Sequence, residues 1–150
     1  MPVNFQLGMN AKIYQGAAET GETATVPTTE LSNVRDVTVS LEAGEADITT
    51  RANSGWRATA ATLRECTVEF DMVWKPSDAG FAAVKTAFLT GGEVLLAVLT
   101  GASDEAGAEG VLANFTITNF SRNEALEEAI TVSVTAKLSK FFEWHVVAGA

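Results

Sequence analysis

The stretch Ile130-Thr131-Val132-Ser133-Val134-Thr135-Ala136-Lys137-Leu138 alternates strictly between apolar and polar side chains. Successive side chains of a β-strand point to opposite faces, so this alternation predicts a strand with one face in a core and one in solvent. Residues 37–42 alternate in the same way, residues 68–74 do so with Val73 breaking the polar face, and residues 111–118 do so from Ala113 onward. The last of these and 130–138 could pair as two long antiparallel strands across a polar connection at 120–128. The sequence therefore predicts a mainly β protein with antiparallel strands.

Two other apolar stretches extend this prediction. Residues 94–99 are apolar at every position, which predicts a strand covered on both faces, by the core and by a helix or another subunit. Near the end of the chain, Phe142, Trp144 and Val146 alternate with polar residues and predict a closing strand.

One segment has helical spacing instead. From Ser77 to Leu89, apolar residues recur three and four positions apart, at Phe81, Val84 and Phe88. Ser77 is the expected N-cap, Asp78 would lie near the positive end of the helix dipole, and Gly91-Gly92 would end the helix. We expect one short amphipathic helix that packs its apolar stripe on the strands.

Length and composition are those of one folded domain, which we place over residues 1–150. Hydrophobic residues make up 47% of the chain and charged residues 19%. No apolar run is long enough for a membrane helix, and the first six residues lack a basic region followed by an apolar one, so we expect neither a membrane anchor nor a secretory signal. The predicted fold is an antiparallel β-sandwich or small barrel with one flanking helix.

The net charge of −9 argues against a protein that grips nucleic acid. Phosphate binding requires clustered Lys and Arg, whereas no two of the ten basic residues are adjacent here. A protein of this charge could instead repel nucleic acid.

The sequence contains few residues suited to catalysis. Cys66 and His145 are the only cysteine and histidine, too few for a zinc site, and a disulfide within the chain is excluded. Glu65 beside Cys66 should raise the thiol pKa, which predicts an inert cysteine. Glu69 and Asp71 share one strand face, as paired catalytic carboxylates could, but a solvated strand face explains them equally well. We expect no enzyme, no cofactor and no metal.

The stretch from Glu42 to Leu63 has few large apolar residues and no core pattern. It contains Arg51, Trp56 and Arg57, residue types that are favoured at protein interfaces. Trp74 and Trp144 fall on apolar faces of predicted strands, so Trp56 is the tryptophan expected to be exposed. Two interpretations remain open: a surface loop with Trp56 partly tucked in, or an extended arm that becomes buried only in an assembly.

The stretch Gly44-Glu45-Ala46-Asp47-Ile48-Thr49-Thr50-Arg51-Ala52-Asn53-Ser54-Gly55-Trp56-Arg57-Ala58-Thr59 resembles the tail tube (major tail) proteins of tailed phages and prophages. Residues 11–16, 31–42, 119–124 and 126–129 are similar to the same family. The resemblance implies a β-sandwich or small barrel with one flanking helix, in a structural subunit of the virion tail that assembles in the bacterial host cytoplasm.

The resemblance also implies an assembly. Six copies would form a ring, rings would stack into a hollow tube with a continuous β-barrel around the lumen, and an arm would reach the next ring. DNA would pass through without specific binding. The implied partners are the chain itself and the sheath, tail terminator, tape measure and baseplate proteins of a tail. The candidate contact residues are Asp47, Arg51, Trp56 and Arg57, and the candidate lumen-facing acids are Glu69 and Asp71.

Three rival functions remain. The nearest is the inner tube of a contractile injection system, such as a type VI secretion tube or a tailocin. A second is a monomeric β-sandwich that binds a ligand on an exposed aromatic platform. The third and weakest is an enzyme.

Overall fold

The computed structural model describes residues 8–148, and its strands form one antiparallel seven-stranded sheet in the order β2-β1-β5-β6-β7-β4-β3. The strands are β1 (Lys12–Ala17), β2 (Thr29–Glu30), β3 (Val34–Asp47), β4 (Thr59–Val73), β5 (Glu93–Leu99), β6 (Glu109–Asn123) and β7 (Thr131–Val146). The helix α1 (Ala79–Thr90) separates β4 from β5, and short 3₁₀ turns lie at Gly8–Asn10 and Arg51–Asn53. The predicted mainly β fold with one helix is confirmed.

The main core lies on one face of this sheet, where the alternating apolar residues of β4, β5, β6 and β7 meet. Phe115, Met72 and Leu96 are among its fully buried members. The sheet curls so that its two ends approach each other, with a space of about 440 Å³ between the start of β3 and the residues of β1 and β2. This curled single sheet is consistent with the expected β-sandwich.

The helix α1 closes the core side of the sheet. Phe81 and Val84 are buried, as the spacing predicted, and Trp74 meets the Phe81 ring edge-on at 4.9 Å between centroids. The expected N-cap is wrong by one residue: Asp78, not Ser77, accepts a hydrogen bond from the Phe81 N–H at 3.1 Å. The helix ends at Gly91, whose φ of 72° allows its N–H to reach the last turn.

The ends of β6 and β7 differ from the prediction. Residues 120–128 are not a loop throughout, because β6 continues to Asn123 and Phe120 packs against the core. The strand predicted around Phe142 is not separate either, since β7 runs without a break to Val146. Register shifts in the β6–β7 pair absorb the breaks in alternation, which explains why the pattern alone did not show one continuous strand.

The strand β5 is buried on both faces, as predicted, but the cover of its second face differs. Val94 and Leu96 face the core on which α1 packs. Leu95, Ala97 and Leu99 form a second cluster with Tyr14 and Leu112, and Ala24, Val26 and Phe142 pack on it. A neighbouring subunit is therefore not required to cover this face, since the segment between β1 and β2 does so.

Candidate assembly surfaces

The strands β3 and β4 form a hairpin that projects beyond the core. Their register runs from Val34 opposite Met72 to Asp47 opposite Thr59. In β4, buried residues begin at Cys66. The outer part of the hairpin has no buried residue on either strand. This hairpin is the predicted extended arm, with the stretch from Glu42 to Leu63 as its outer part.

Local hydrogen bonds order the arm tip, which we define as residues 47–58. The Trp56 N–H donates to the Asn53 carbonyl at 2.9 Å, and the Asn53 side-chain amide donates to the Trp56 carbonyl at 3.0 Å. At the base of the turn, the Asp47 carboxylate accepts from the Thr49 N–H at 2.9 Å. Hydrogen bonds from the side chain and backbone of Thr49 hold the Asp47 pKa below its usual value of 3.8. The tip thus has a defined shape without a partner.

The side chains of the arm tip point into solvent despite this order. Trp56 is 75% exposed, and Ile48 is exposed as well. Arg51 and Arg57 are exposed and form no ion pair with any residue in the described range 8–148. An ordered turn that presents a free tryptophan and two free guanidinium groups is typical of a surface that binds a partner.

The predicted lumen acids lie on the face of β4 opposite the core. Glu69 is exposed, and Asp71 is partly exposed and accepts a hydrogen bond from the Ser133 hydroxyl at 2.9 Å. Their cross-strand neighbours are small polar residues: Thr38 on β3 and Ser133 and Thr135 on β7. The structure therefore places both acids on one polar face that spans at least three strands.

A cleft opens where β4 and β7 separate. They pair only between Thr67–Val73 and Thr131–Lys137, after which β4 continues along β3 and β7 continues along β6. The space between them measures about 660 Å³. It is lined by Leu41, Glu42, Ala43, Thr62, Leu63, Arg64, Glu65, Cys66, Leu138, Phe141 and Trp144. We call this space the β4–β7 cleft.

No arrangement among the described residues suggests catalysis. Cys66 is 4% exposed, and burial raises the pKa of its thiol. The direction agrees with the prediction, although the cause is burial rather than the charge of Glu65. The His145 imidazole lies 3.2 Å from the Glu143 carboxylate, and residues 8–148 contain no group of three metal-binding side chains. Within the same range, no helix has the length and apolar character that spanning a membrane requires.

Residues 16–140 match the sequence family described as phage tail tube protein. The chain belongs to this family. Its members are structural subunits of the tail tube. The exposed arm and the polar face with Glu69 and Asp71 are therefore surfaces of such a subunit. No curated protein matches the chain.

Solved tail structures share the fold of this family member. The tail of an empty gene transfer agent particle, refined helically with C6 symmetry, has a TM-score of 0.72 at 17% identity and covers 95% of this chain and 100% of its own. The virion of a native gene transfer agent has a TM-score of 0.72 at 16% identity with the same coverage. The SPP1 tail tube has a TM-score of 0.66 at 14% identity, covering 94% of this chain and 80% of its own.

Sequence patterns do not reveal the β4–β7 cleft of this tail tube family member. Alternation places Trp144 on an apolar strand face and predicts that it is buried, yet it is 43% exposed, and Phe141 is 53% exposed. Both lie where β7 has lost β4 as a neighbour, so nothing described covers the apolar side chains there. Alternation identifies which face a residue takes but not whether another strand covers it.

Proposed function

We propose that six copies of this chain form a ring and that the rings stack into a hollow tube through which DNA passes during ejection. The family match and the shared fold support this proposal, together with the C6 symmetry of the gene transfer agent tail. The observation that carries it on this chain is the β3–β4 hairpin, which projects from the core and ends in an ordered tip with an exposed tryptophan. An isolated subunit gains nothing from such a projection, whereas a stacked ring can bury it.

The arm tip is the proposed contact between rings. Trp56 would supply the apolar area, with Arg51 and Arg57 forming charged contacts around it, as at the centre of an interface hot spot. Asp47 has a supporting role, since its carboxylate is already engaged by Thr49 at the base of the tip. The four residues that the sequence singled out thus lie in one small part of the hairpin.

The polar face with Glu69 and Asp71 is the proposed lumen surface. Six copies at −9 each would carry −54 formal charges per ring. Carboxylates among short Ser and Thr side chains would repel the phosphate backbone, so DNA could slide through. The exposed Lys137, opposite Thr67 on the same face, only partly offsets this negative charge. DNA would therefore be a passenger and not a ligand.

The remaining partners follow from the position of a tube in the virion tail. The tube would contact the tape measure protein inside, a terminator and a baseplate at its ends, and a sheath if the tail contracts. Assembly would take place in the bacterial host cytoplasm. The subunit would act without catalysis, by shape, charge and self-association.

Negative-stain electron microscopy of the purified, untagged, concentrated protein tests this proposal. Hollow tubes or six-fold rings are the expected result. A uniform monomer at every concentration, even after addition of preformed tail tube fragments as seeds, would contradict the proposal. Screening for a small ligand would then be the next step.

A further inference from the structure

We propose that the arm tip of one copy docks in the β4–β7 cleft of a copy in the next ring. This inference rests on the proposed function and names the surface that receives the arm. Both surfaces are open to solvent in the subunit, and a second copy of the chain would occupy the cleft.

The cleft has the character of a binding surface. Leu41 is 60% exposed, and it faces the half-exposed rings of Phe141 and Trp144 across the gap. A group of exposed large apolar side chains around one concave space is unusual for a surface that stays in water. Cys66 and Leu138 extend the apolar lining inward.

The arm tip is chemically complementary to this lining. Trp56 and Ile48 have exposed apolar side chains that would cover the apolar lining of the cleft. Because the turn is already ordered, little conformational entropy would be lost when they bind. A rigid aromatic anchor in an apolar pocket is the usual core of a strong interface.

Charge supports the same pairing. The cleft lining carries two acids and one base: Glu42 and Glu65, which lie directly opposite each other in the β3–β4 register, and Arg64, which lies opposite Ala43. Like charges in that position are unfavourable, and neither carboxylate forms an ion pair with a residue of the described range. The unpaired guanidinium groups of Arg51 and Arg57 would relieve this repulsion on docking.

The hairpin geometry keeps the tip of each copy out of its own cleft, so any tip that docks there belongs to another copy. From Cys66 at the cleft to Thr59 at the base of the tip, the strand extends by about 23 Å at the usual rise per residue. The β3–β4 pairing continues along this whole length to Asp47 and Thr59, so the tip cannot fold back into its own cleft. Because tip and cleft are different surfaces, each docked copy still has one of them free, and the contact can repeat from ring to ring.

Disulfide trapping tests the contact. Cys66 is replaced by Ala, and the exposed Ala52 of the tip and Ala43 of the cleft are both replaced by Cys. Mild oxidation of assembled tubes should then yield covalent chains of three or more copies on a non-reducing gel, because each copy carries both halves of the contact. The matched control combines Ala52→Cys with Glu127→Cys in the exposed loop after β6, and it should yield no such series. Tubes that are intact by microscopy but give no series with Ala43→Cys would overturn the docking site and leave the proposed function standing.

A double-mutant cycle gives an independent test. Trp56→Ala and Phe141→Ala should each raise the protein concentration needed for tube assembly by about 30-fold, the equivalent of a hot-spot residue. If the two side chains meet, the double variant should be affected far less than the product of the two single effects. Both residues are more than half exposed in the subunit, so folding should be unaffected. If the increase in assembly concentration of the double variant equals the product of the two single increases, Trp56 docks elsewhere.

Discussion

The side chain of Asn114 on β6 clamps the backbone of Glu19, in the segment between β1 and β2. Its amide donates to the Glu19 carbonyl at 2.8 Å, and its oxygen accepts from the Glu19 N–H at 3.0 Å. Asn114 is one of two buried polar residues in the described part of the chain. The clamp fixes the segment that covers the second face of β5 through Ala24 and Val26.

Replacement of Asn114 by Ala should therefore destabilise the subunit. The substitution leaves a partly buried N–H and carbonyl without partners, which costs about 1–3 kcal/mol in the free energy of unfolding. Denaturant unfolding of the disassembled subunit measures this. Asn119→Ala, on the exposed face of the same strand, is the control and should change stability by less than about 0.5 kcal/mol. Equal effects from both variants would show that the clamp contributes nothing.

Trp56→Ala should weaken ring stacking without affecting the fold. The side chain is 75% exposed, so the melting temperature of the free subunit should not change. Loss of a hot-spot contact should cost about 2 kcal/mol per contact in stacking and shorten the tubes. Tube lengths from electron microscopy measure this, with Leu126→Ala at a fully exposed loop position as the control. Tubes of normal length from Trp56→Ala would mean that the tryptophan has no role in stacking.

Deletion of residues 47–55 should separate folding from stacking. The core and the inner pairing of β3 with β4 do not involve this segment, so folded monomers or rings should remain. Long tubes should disappear, because the arm would no longer reach the next ring. Circular dichroism and electron microscopy together measure the two effects. Replacement of Leu126-Glu127-Glu128 by Gly-Ser-Gly is a control that should leave tubes intact, and long tubes from the deletion would contradict the role of the arm.

Reversal of the two acids on the polar face should affect DNA passage. Glu69→Lys with Asp71→Lys would place cations where DNA is proposed to slide, and phosphate groups would bind them. We expect tubes that look normal by microscopy but eject DNA slowly or not at all. The control makes the same change of charge at Glu127 and Glu128, in an exposed loop. Normal infectivity of the Glu69/Asp71 variant would remove this face from the lumen.

Cys66 should be unreactive in the folded subunit. Burial raises its thiol pKa and blocks access, so alkylation by iodoacetamide should be at least about tenfold slower than for an exposed cysteine. Mass spectrometry of time points measures the rate, and Ala52→Cys in the same chain is the exposed reference. Unfolding should bring the two rates together. Rapid modification of Cys66 in the native subunit would show that the cleft opens to solvent more than the structure indicates.

The strands with clean alternation could be predicted because a strand buried on one face has an apolar residue at every second position. Residues 130–138 are the clearest case, and all but Ile130, which directly precedes the strand, lie within β7. The helix was predictable for a similar reason, since Phe81 and Val84 recur at helical spacing. Its cap was misplaced by one residue because Ser77 and Asp78 are both good capping residues, and only backbone geometry selects between them.

The register between strands, and which apolar side chains a neighbouring strand covers, could not be predicted in the same way. Bulges in the β6–β7 pair shift the alternation, so two strands that are continuous appeared interrupted. The exposure of Trp144 depends on where β4 leaves β7, which involves residues about 80 positions away in the chain.

By itself, the sequence determined the mainly β class, the helix after β4 and the unusual stretch from Glu42 to Leu63. These are properties of residue type and local spacing, and neighbours along the chain express them. The tertiary structure alone decided that this stretch is an ordered hairpin with Trp56 at its tip, and that a cleft lies between β4 and β7. Both depend on pairing between distant strands, whose register local propensity does not specify.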